Sequence, residues 1–243
     1  SDNVVLYGLH TVRAAILNPA RKPLQLLATR NALARLELAD DTLARCPVEI
    51  VEPKAIDRLT GDGAVHQGIA LETLLLKPKP LTALGDTDLV LVLDQVTDPH
   101  NVGAIIRSSA LFGAAAVIQT SRHGASETAA LVKAASGAFD YLPLVSVTNL
   151  SRALDEVAEA GFIRVGLAGE AETGPDAVDP GQPVALVLGA EGKGLRAKTR
   201  DYCEHVVRLS MPGLARDIPG LDSLNVSNAA AVALYALTPA TLR

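Results

Sequence analysis

The stretch LVLVLDQVTDPHNVGAIIRSSALFGA, residues 89–114, decides the fold. Its opening run, Leu89–Leu93, is apolar without interruption and has the length of one strand buried on both faces, the kind found in parallel sheets. Asp94 and Gln95 end the run. Asp98-Pro99 predicts a helix start, with Asp98 as N-cap and Pro99 at the first helical position. Asn101 then falls in the first turn, Gly103 and Ala104 keep one side thin, and Arg107 and Ser108 interrupt an otherwise apolar surface. A buried strand that delivers a polar Asn and an Arg just past its carboxyl end is a common site geometry in α/β proteins. Read alone, the same residues are equally well a helix cap and a solvated charge; two later stretches decide between these readings.

Outward from this core, the elements alternate. Toward the N-terminus, an extended entry at Val4–Leu6 and a helix over Tyr7–Leu17 precede a strand at Leu24–Ala28 and a helix over Ala32–Ala44. A strand at Val48–Val51, a short helix at Pro53–Leu59 and a strand at Ile69–Leu76 follow. That pattern predicts a small α/β domain over residues 1–76. His66-Gln67-Gly68 is polar without an evident fold reason and reads as a turn, with an RNA contact as the other possibility. Lys77-Pro78-Lys79-Pro80 continues neither helix nor central strand, so residues 77–88 read as a linker. Residues 89–243 form the second domain. It has further strands at Ala115–Gln119, Leu144–Val147, Ile163–Ala168, Val184–Leu188 and Val206–Leu209, and helices at Glu127–Ser136 and Leu150–Ala160. This βαβα order predicts a parallel sheet with helical crossovers.

Composition narrows the classes. The 243 residues carry a net charge of −5, which argues against unspecific coating of nucleic acid but not against a local basic site. Lys193, Arg196, Lys198 and Arg200 form such a cluster. The two cysteines, Cys46 and Cys203, are far apart and in no C-x-x-C pattern, as expected of reduced thiols in a cytoplasmic protein. The five His residues lack metal-ligand spacing, so no metal is expected. No run reaches the length of a membrane span and no signal-peptide pattern opens the chain. The only methionine is Met211, which implies a removed initiator or a longer N-terminal segment.

Two more polar clusters lie downstream. The strand at Val184–Leu188 runs into Gly189-Ala190-Glu191-Gly192-Lys193-Gly194-Leu195, where three glycines permit close backbone approach and left-handed conformations. The spacing fits neither the P-loop nor the dinucleotide fingerprint. Later, Ser223-Leu224-Asn225-Val226-Ser227-Asn228 runs into the Ala-rich stretch to Leu237, with Ser223 as the expected N-cap. Ser223 and Ser227, and Asn225 and Asn228, would then share helix faces.

Together, N-V-G-A-I-I-R at Asn101–Arg107, L-G-A-E-G-K-G at Leu188–Gly194 and S-L-N-V-S at Ser223–Ser227 resemble the three motifs of the SpoU/TrmH family of RNA ribose 2′-O-methyltransferases, in the SPOUT superfamily. The resemblance covers about residues 89–238. It implies a trefoil-knotted α/β domain with a parallel sheet, a homodimer with its site near the subunit interface, and S-adenosyl-L-methionine as methyl donor. The first domain is similar to the small RNA-binding domain, of ribosomal-protein-like α/β fold, that precedes the catalytic domain in many bacterial rRNA members.

By position, the resemblance assigns the donor to Gly189, Leu209 and Leu224, with Ser210, Met211 and Val226 beside them and the polar loop Thr120–Gly124 and the segment Leu167–Gly169 completing the site. It makes Arg107 the essential residue at the ribose hydroxyl, with Asn101, Glu191, Ser223 and Asn225 at the remaining catalytic positions. Glu191 would hold the Arg or another polar partner. Lys193, Arg196 and Arg216 are candidate RNA contacts. Arg216 sits in Pro212–Asp222, a longer loop than is usual in the bacterial members. The bulky first domain ranks a guanosine of 23S rRNA above tRNA as substrate. A non-catalytic RNA-binding module of the same fold and a nucleotide-dependent oxidoreductase are the competing readings.

Overall fold

The computed structural model describes residues 2–61, 63–84, 87–179, 181–212 and 223–238. The first elements are β1 (Asn3–Tyr7), α1 (Leu9–Leu17), β2 (Pro23–Ala28), α2 (Arg30–Arg35), α3 (Asp40–Leu43), β3 (Val48–Ile50), α4 (Pro53–Thr60) and β4 (Ile69–Leu74). Next come β5 (Leu89–Asp94), α5 (Pro99–Leu111), β6 (Val117–Thr120), α6 (Ala129–Ala134), β7 (Leu144–Val147), α7 (Leu150–Glu159) and β8 (Ile163–Leu167). The last are β9 (Val184–Gly189), α8 (Ala197–Asp201), β10 (His205–Val207) and α9 (Val226–Leu237). By their contacts these form two units: Ser1–Lys77 with Ser126–Tyr141, and Pro78–Ala125 with Leu142–Arg243.

The first unit is built on a four-stranded sheet of order β1-β4-β2-β3. β4 runs antiparallel to both neighbours, and β2 and β3 are parallel. The expected helix over Ala32–Ala44 is two short helices instead. Leu36 plugs into the core, and Glu37 then turns the chain with a left-handed φ of 49°. The polar triplet His66-Gln67-Gly68 has a structural purpose. The Leu9 N–H, orphaned at the start of α1, donates to Gln67 Oε1 at 3.0 Å. His66 Nδ1 accepts from the Gly68 N–H at 3.0 Å, which leaves Nε2–H to donate to Asp57 Oδ1 at 2.9 Å.

α6 and the turn after it belong to this unit. Arg21, only 2 % exposed, donates from Nε to Asp140 Oδ1 at 2.7 Å and also pairs with Glu127. Asn18 adds a bond to Asp140, and the Leu76 N–H donates to Glu127. Burial pushes the Glu127 carboxyl above its ordinary range, although Arg21 pulls the other way. A charge this buried is tolerated only because partners surround it. Residues 126–141, read from sequence as part of the second domain, are thus fastened to the first 77 residues.

The second unit is a six-stranded, wholly parallel sheet of order β10-β8-β9-β5-β6-β7. β5 lies in its interior, and from Val90 to Asp94 it is buried, as the uninterrupted apolar run requires. Val90, Val92, Ile118, Val145 and Val187 pack against Leu150, Leu154 and Val157 of α7. The segment read as a linker is packed here too: Lys79 bridges to Val145, and Leu81 and Leu84 cover the same core. On another part of the unit α5 packs against α9, with the Phe112 and Tyr235 rings edge to face at 6.5 Å.

Candidate active site

The strand-to-helix junction forms as its residues dictate. The Asp98 carboxylate accepts from the N–H groups of His100 and Asn101, and Pro99 opens α5. Asn101 is buried, whereas Arg107, nearly two turns later, is exposed. No side chain among the described residues of this chain pairs with the Arg107 guanidinium.

Glu191 accepts from the side-chain amide of Asn225. The same amide nitrogen donates to Asn101 Oδ1 at 3.0 Å. Asn225 therefore ties together three residues separated by up to 124 positions. Its own oxygen accepts from the Ser227 N–H at 2.9 Å, which makes Asn225 the N-cap of α9. Ser223, the expected cap, precedes the helix and shares no helix face with Ser227. Four cap-competent residues, Ser223, Asn225, Ser227 and Asn228, hide this choice in the sequence.

The glycine-rich loop closes over the carboxyl end of β9. The Gly194 N–H donates to Ala190 O at 2.8 Å, and Gly192 and Gly194 take left-handed φ values of 73° and 63°. Both ends of this loop meet at Asp94, which the sequence presents only as the end of a strand. Asp94 pairs in register with Gly189, and its carboxylate accepts from Arg196 Nε at 2.7 Å and from the Arg196 N–H at 3.3 Å. Asp94 is fully buried, and Arg196 is half exposed. Arg196 thus serves as the loop's anchor, with its guanidinium engaged, while Lys193 on the loop itself is exposed and unpaired among the described residues. Asp94→Asn is expected to loosen this loop and so to weaken about tenfold the binding of the methyl donor that the motif resemblance implies, the effect of one charged hydrogen bond discounted for exposure. Titration calorimetry with the donor checks it; an unchanged affinity would contradict the anchoring role.

A cavity of about 740 Å³ opens at the carboxyl ends of β8, β9 and β10, where open α/β sheets place their ligands. Gly189, Leu209, Met211, Leu224 and Val226 line it, as do Leu167 and Gly169. Glu191, Lys193, Ser223 and Asn225 stand at the same wall. Ser210 and Thr120 lie outside it, and Arg216 lies outside the described residues. A second cavity, about 660 Å³ at the amino ends of the strands, contains none of the expected residues.

Burial pushes both the Cys46 and Cys203 thiols up to about 11, so neither is a thiolate nucleophile at neutral pH. Among the described residues no group of three or more His, Cys, Asp or Glu is placed to hold a metal, and no helix is long and apolar enough to cross a membrane. Thr120 Oγ1 is buried and finds no partner among the described residues. Removing such a group while keeping its shape is neutral or stabilising. Thr120→Val is therefore expected to hold or raise the melting temperature, by up to about 4 °C for a chain of this size. A fall of several degrees in a thermal melt would mean that the hydroxyl is served after all.

The glycine-rich loop, the capping Asn225 and the buried Asn101 thus converge beside one cavity of a parallel α/β sheet. Residues 88–235 match the SpoU rRNA Methylase family, and residues 5–78 match the family described as RNA 2′-O ribose methyltransferase substrate binding. The chain belongs to the SpoU rRNA methylase family. A Pseudomonas putida relative named 23S rRNA (guanosine-2′-O-)-methyltransferase RlmB is 38% identical over 240 residues, covering 95% of this chain and 94% of that protein. The Vibrio cholerae protein of the same name is 36% identical over 256 residues, covering 96% of each. Among solved structures, the fold is shared with the SpoU methyltransferase AviRb from Streptomyces viridochromogenes in complex with AdoMet. That match has a TM-score of 0.76 at 24% identity and covers 97% of this chain and 89% of that one. It is shared as well with the AdoMet-bound rRNA methyltransferase from Sinorhizobium meliloti, with a TM-score of 0.78 at 24% identity, covering 97% and 87%.

Proposed function

We propose that the chain transfers a methyl group from S-adenosylmethionine to the ribose 2′-hydroxyl of a guanosine in 23S rRNA. The observation that carries this reading is the convergence of the three motifs: Asn101, Glu191 and Asn225 meet through one amide, beside a cavity walled by Gly189, Leu209 and Leu224. The cavity has the volume of small-ligand sites, roughly 300–1,000 Å³. Its apolar side chains and exposed loop backbone suit an adenosine, and the Glu191 carboxylate suits a ligand with a cationic centre. When bound, S-adenosylmethionine supplies the activated methyl group on its sulfonium.

The protein's own part is to hold and polarise the acceptor. A ribose hydroxyl is a weak nucleophile, and methylation needs its oxygen oriented and its proton loosened. Arg107 offers a planar guanidinium with five N–H donors and no acceptor. It therefore acts by donating hydrogen bonds to the 2′-oxygen or its adjacent phosphate and by stabilising developing alkoxide, not as a base. The Asn101–Asn225–Glu191 chain fixes the wall against which the nucleotide rests. Lys193, unpaired among the described residues, suits a phosphate, whereas Arg196 acts through its anchor.

The same reading includes the trefoil knot, a cytoplasmic location and a homodimer. Leu111, Val232 and Tyr235 leave large exposed apolar surface on α5 and α9, which a second copy would cover. The first unit would select the RNA.

The test is incubation with tritiated S-adenosylmethionine and separate pools of unmodified 23S rRNA, 16S rRNA and tRNA. Label confined to 23S rRNA is the expected result. Label confined to tRNA would overturn the substrate, and no label in any pool together with no donor binding would favour a non-catalytic RNA-binding module.

A further inference from the structure

We propose that the short loop Ser121–Gly124, at the carboxyl end of β6, docks the RNA backbone and presents Arg122 and His123 to the strand flanking the methylated nucleotide. This inference rests on the methyltransferase reading above.

The loop is built to stay in place. At its near end the Ser121 N–H donates to Val147 O at 2.9 Å. At its far end the buried Gln119 amide grips Ala125 twice: Nε2 donates to Ala125 O at 2.8 Å, and Oε1 accepts from the Ala125 N–H at 3.0 Å. Gly124 fits only because it has no side chain. A Cβ there would lie 2.3 Å from Gln119 Cδ and 2.5 Å from the Thr120 carbonyl oxygen. A loop held this firmly displays its outward side chains at little entropic cost on binding.

Those side chains are Arg122 and His123. Both are exposed, and neither has a hydrogen-bond or ion-pair partner among the described residues. No acidic residue lies between Thr120 and Ser126. The next one, Glu127, is buried and paired with Arg21. In a chain of net charge −5, two adjacent unpaired donors on a rigid loop are a local basic site of the kind that binds phosphate.

The placement follows from the sheet. β6 neighbours β5, and β5 neighbours β9, all parallel. The loop therefore leaves the sheet at the same edge as the Gly189–Leu195 loop, two strand spacings or about 10 Å across. The loop does not wall the donor cavity, so its charges serve the acceptor side. At its base the Thr120 hydroxyl is buried with unspent hydrogen-bonding capacity, a feature that calls for an explanation in any native fold.

The test uses the full-length chain, the double variant Arg122→Ala/His123→Ala and the single variant Arg122→Lys. Equilibrium binding to a 23S rRNA transcript is measured across a salt series, and donor affinity by calorimetry. The double variant is expected to bind RNA about tenfold more weakly and to lower the slope of log affinity against log salt by about 0.7 for each phosphate that the loop no longer neutralises. Donor affinity stays unchanged, and Arg122→Lys keeps most of the RNA affinity because the charge remains. Unchanged RNA affinity and salt slope in the double variant would overturn the proposal. Weakened donor affinity with intact RNA binding would also overturn it and assign the loop to the donor site. If the unaltered chain transfers no methyl group, the activity reading falls, and the RNA comparison still decides the loop.

Discussion

Arg107→Ala is expected to cut methyl transfer by about 10²–10³-fold, the loss that follows removal of one oxyanion donor, while donor affinity stays where it was. Arg107 is exposed on α5, no described residue pairs with it, and it does not line the cavity proposed for the donor. Its guanidinium is thus available to substrate and costs the fold nothing to remove. If Arg107 acts by donating to the acceptor oxygen, the single-turnover rate falls and the calorimetric donor curve does not move. Arg107→Lys should recover only part of the rate, because a point charge replaces a planar fork. Near-normal turnover in the alanine variant would take Arg107 out of the mechanism.

Gly189→Ala is expected to weaken donor binding about a hundredfold, equivalent to about 2.7 kcal/mol. Gly189 ends β9, and a Cβ there would lie 2.1 Å from Gly194 C and 2.3 Å from both Gly194 O and Leu195 N. All three are backbone atoms, so no rotamer change relieves the clash. The loop must lift off the strand end, and with it move Glu191 and the cavity wall. The donor calorimetry that checks this needs a companion circular-dichroism spectrum, since β9 itself lies in the sheet interior and should persist. A donor affinity equal to that of the unaltered chain would mean the loop tolerates displacement and does not shape the site.

Much of this site is legible in the sequence, for local reasons. Leu89–Leu93 reads as a buried strand because nothing polar interrupts it, and Asp98-Pro99 reads as a helix start because cap and ring geometry are properties of those two residues. The glycines at 189, 192 and 194 announce a tight loop. What is not legible depends on tertiary partners. Asp94 looks like the end of a strand; its ion pair is with a residue 102 positions away. Arg196 looks like one of four surface cations, yet it is the one that Asp94 captures. The Ser223–Asn228 stretch offers several caps, and the choice of Asn225 is made by its bonds to Asn101 and Glu191. The amphipathic pattern of Glu127–Ser136 signals a helix but not which unit it covers; Arg21 and Asp140 decide that. His66-Gln67-Gly68 has no periodic signal at all, since its function is to cap α1 from 58 residues away.

The packing of α6 also changes what a truncation would test. Removing the first 77 residues would leave Glu127 and Asp140 without Arg21, and with it the partner that allows their burial. RNA selection by the first unit is therefore better probed by surface substitutions than by deletion.

The most direct measurement is mass spectrometry of nucleosides digested from unmodified 23S rRNA after incubation with the chain and S-adenosylmethionine. The account predicts one new product, 2′-O-methylguanosine, dependent on Arg107. Methylation on a base, on another nucleoside, or none at all from a chain that binds both donor and 23S rRNA would contradict it.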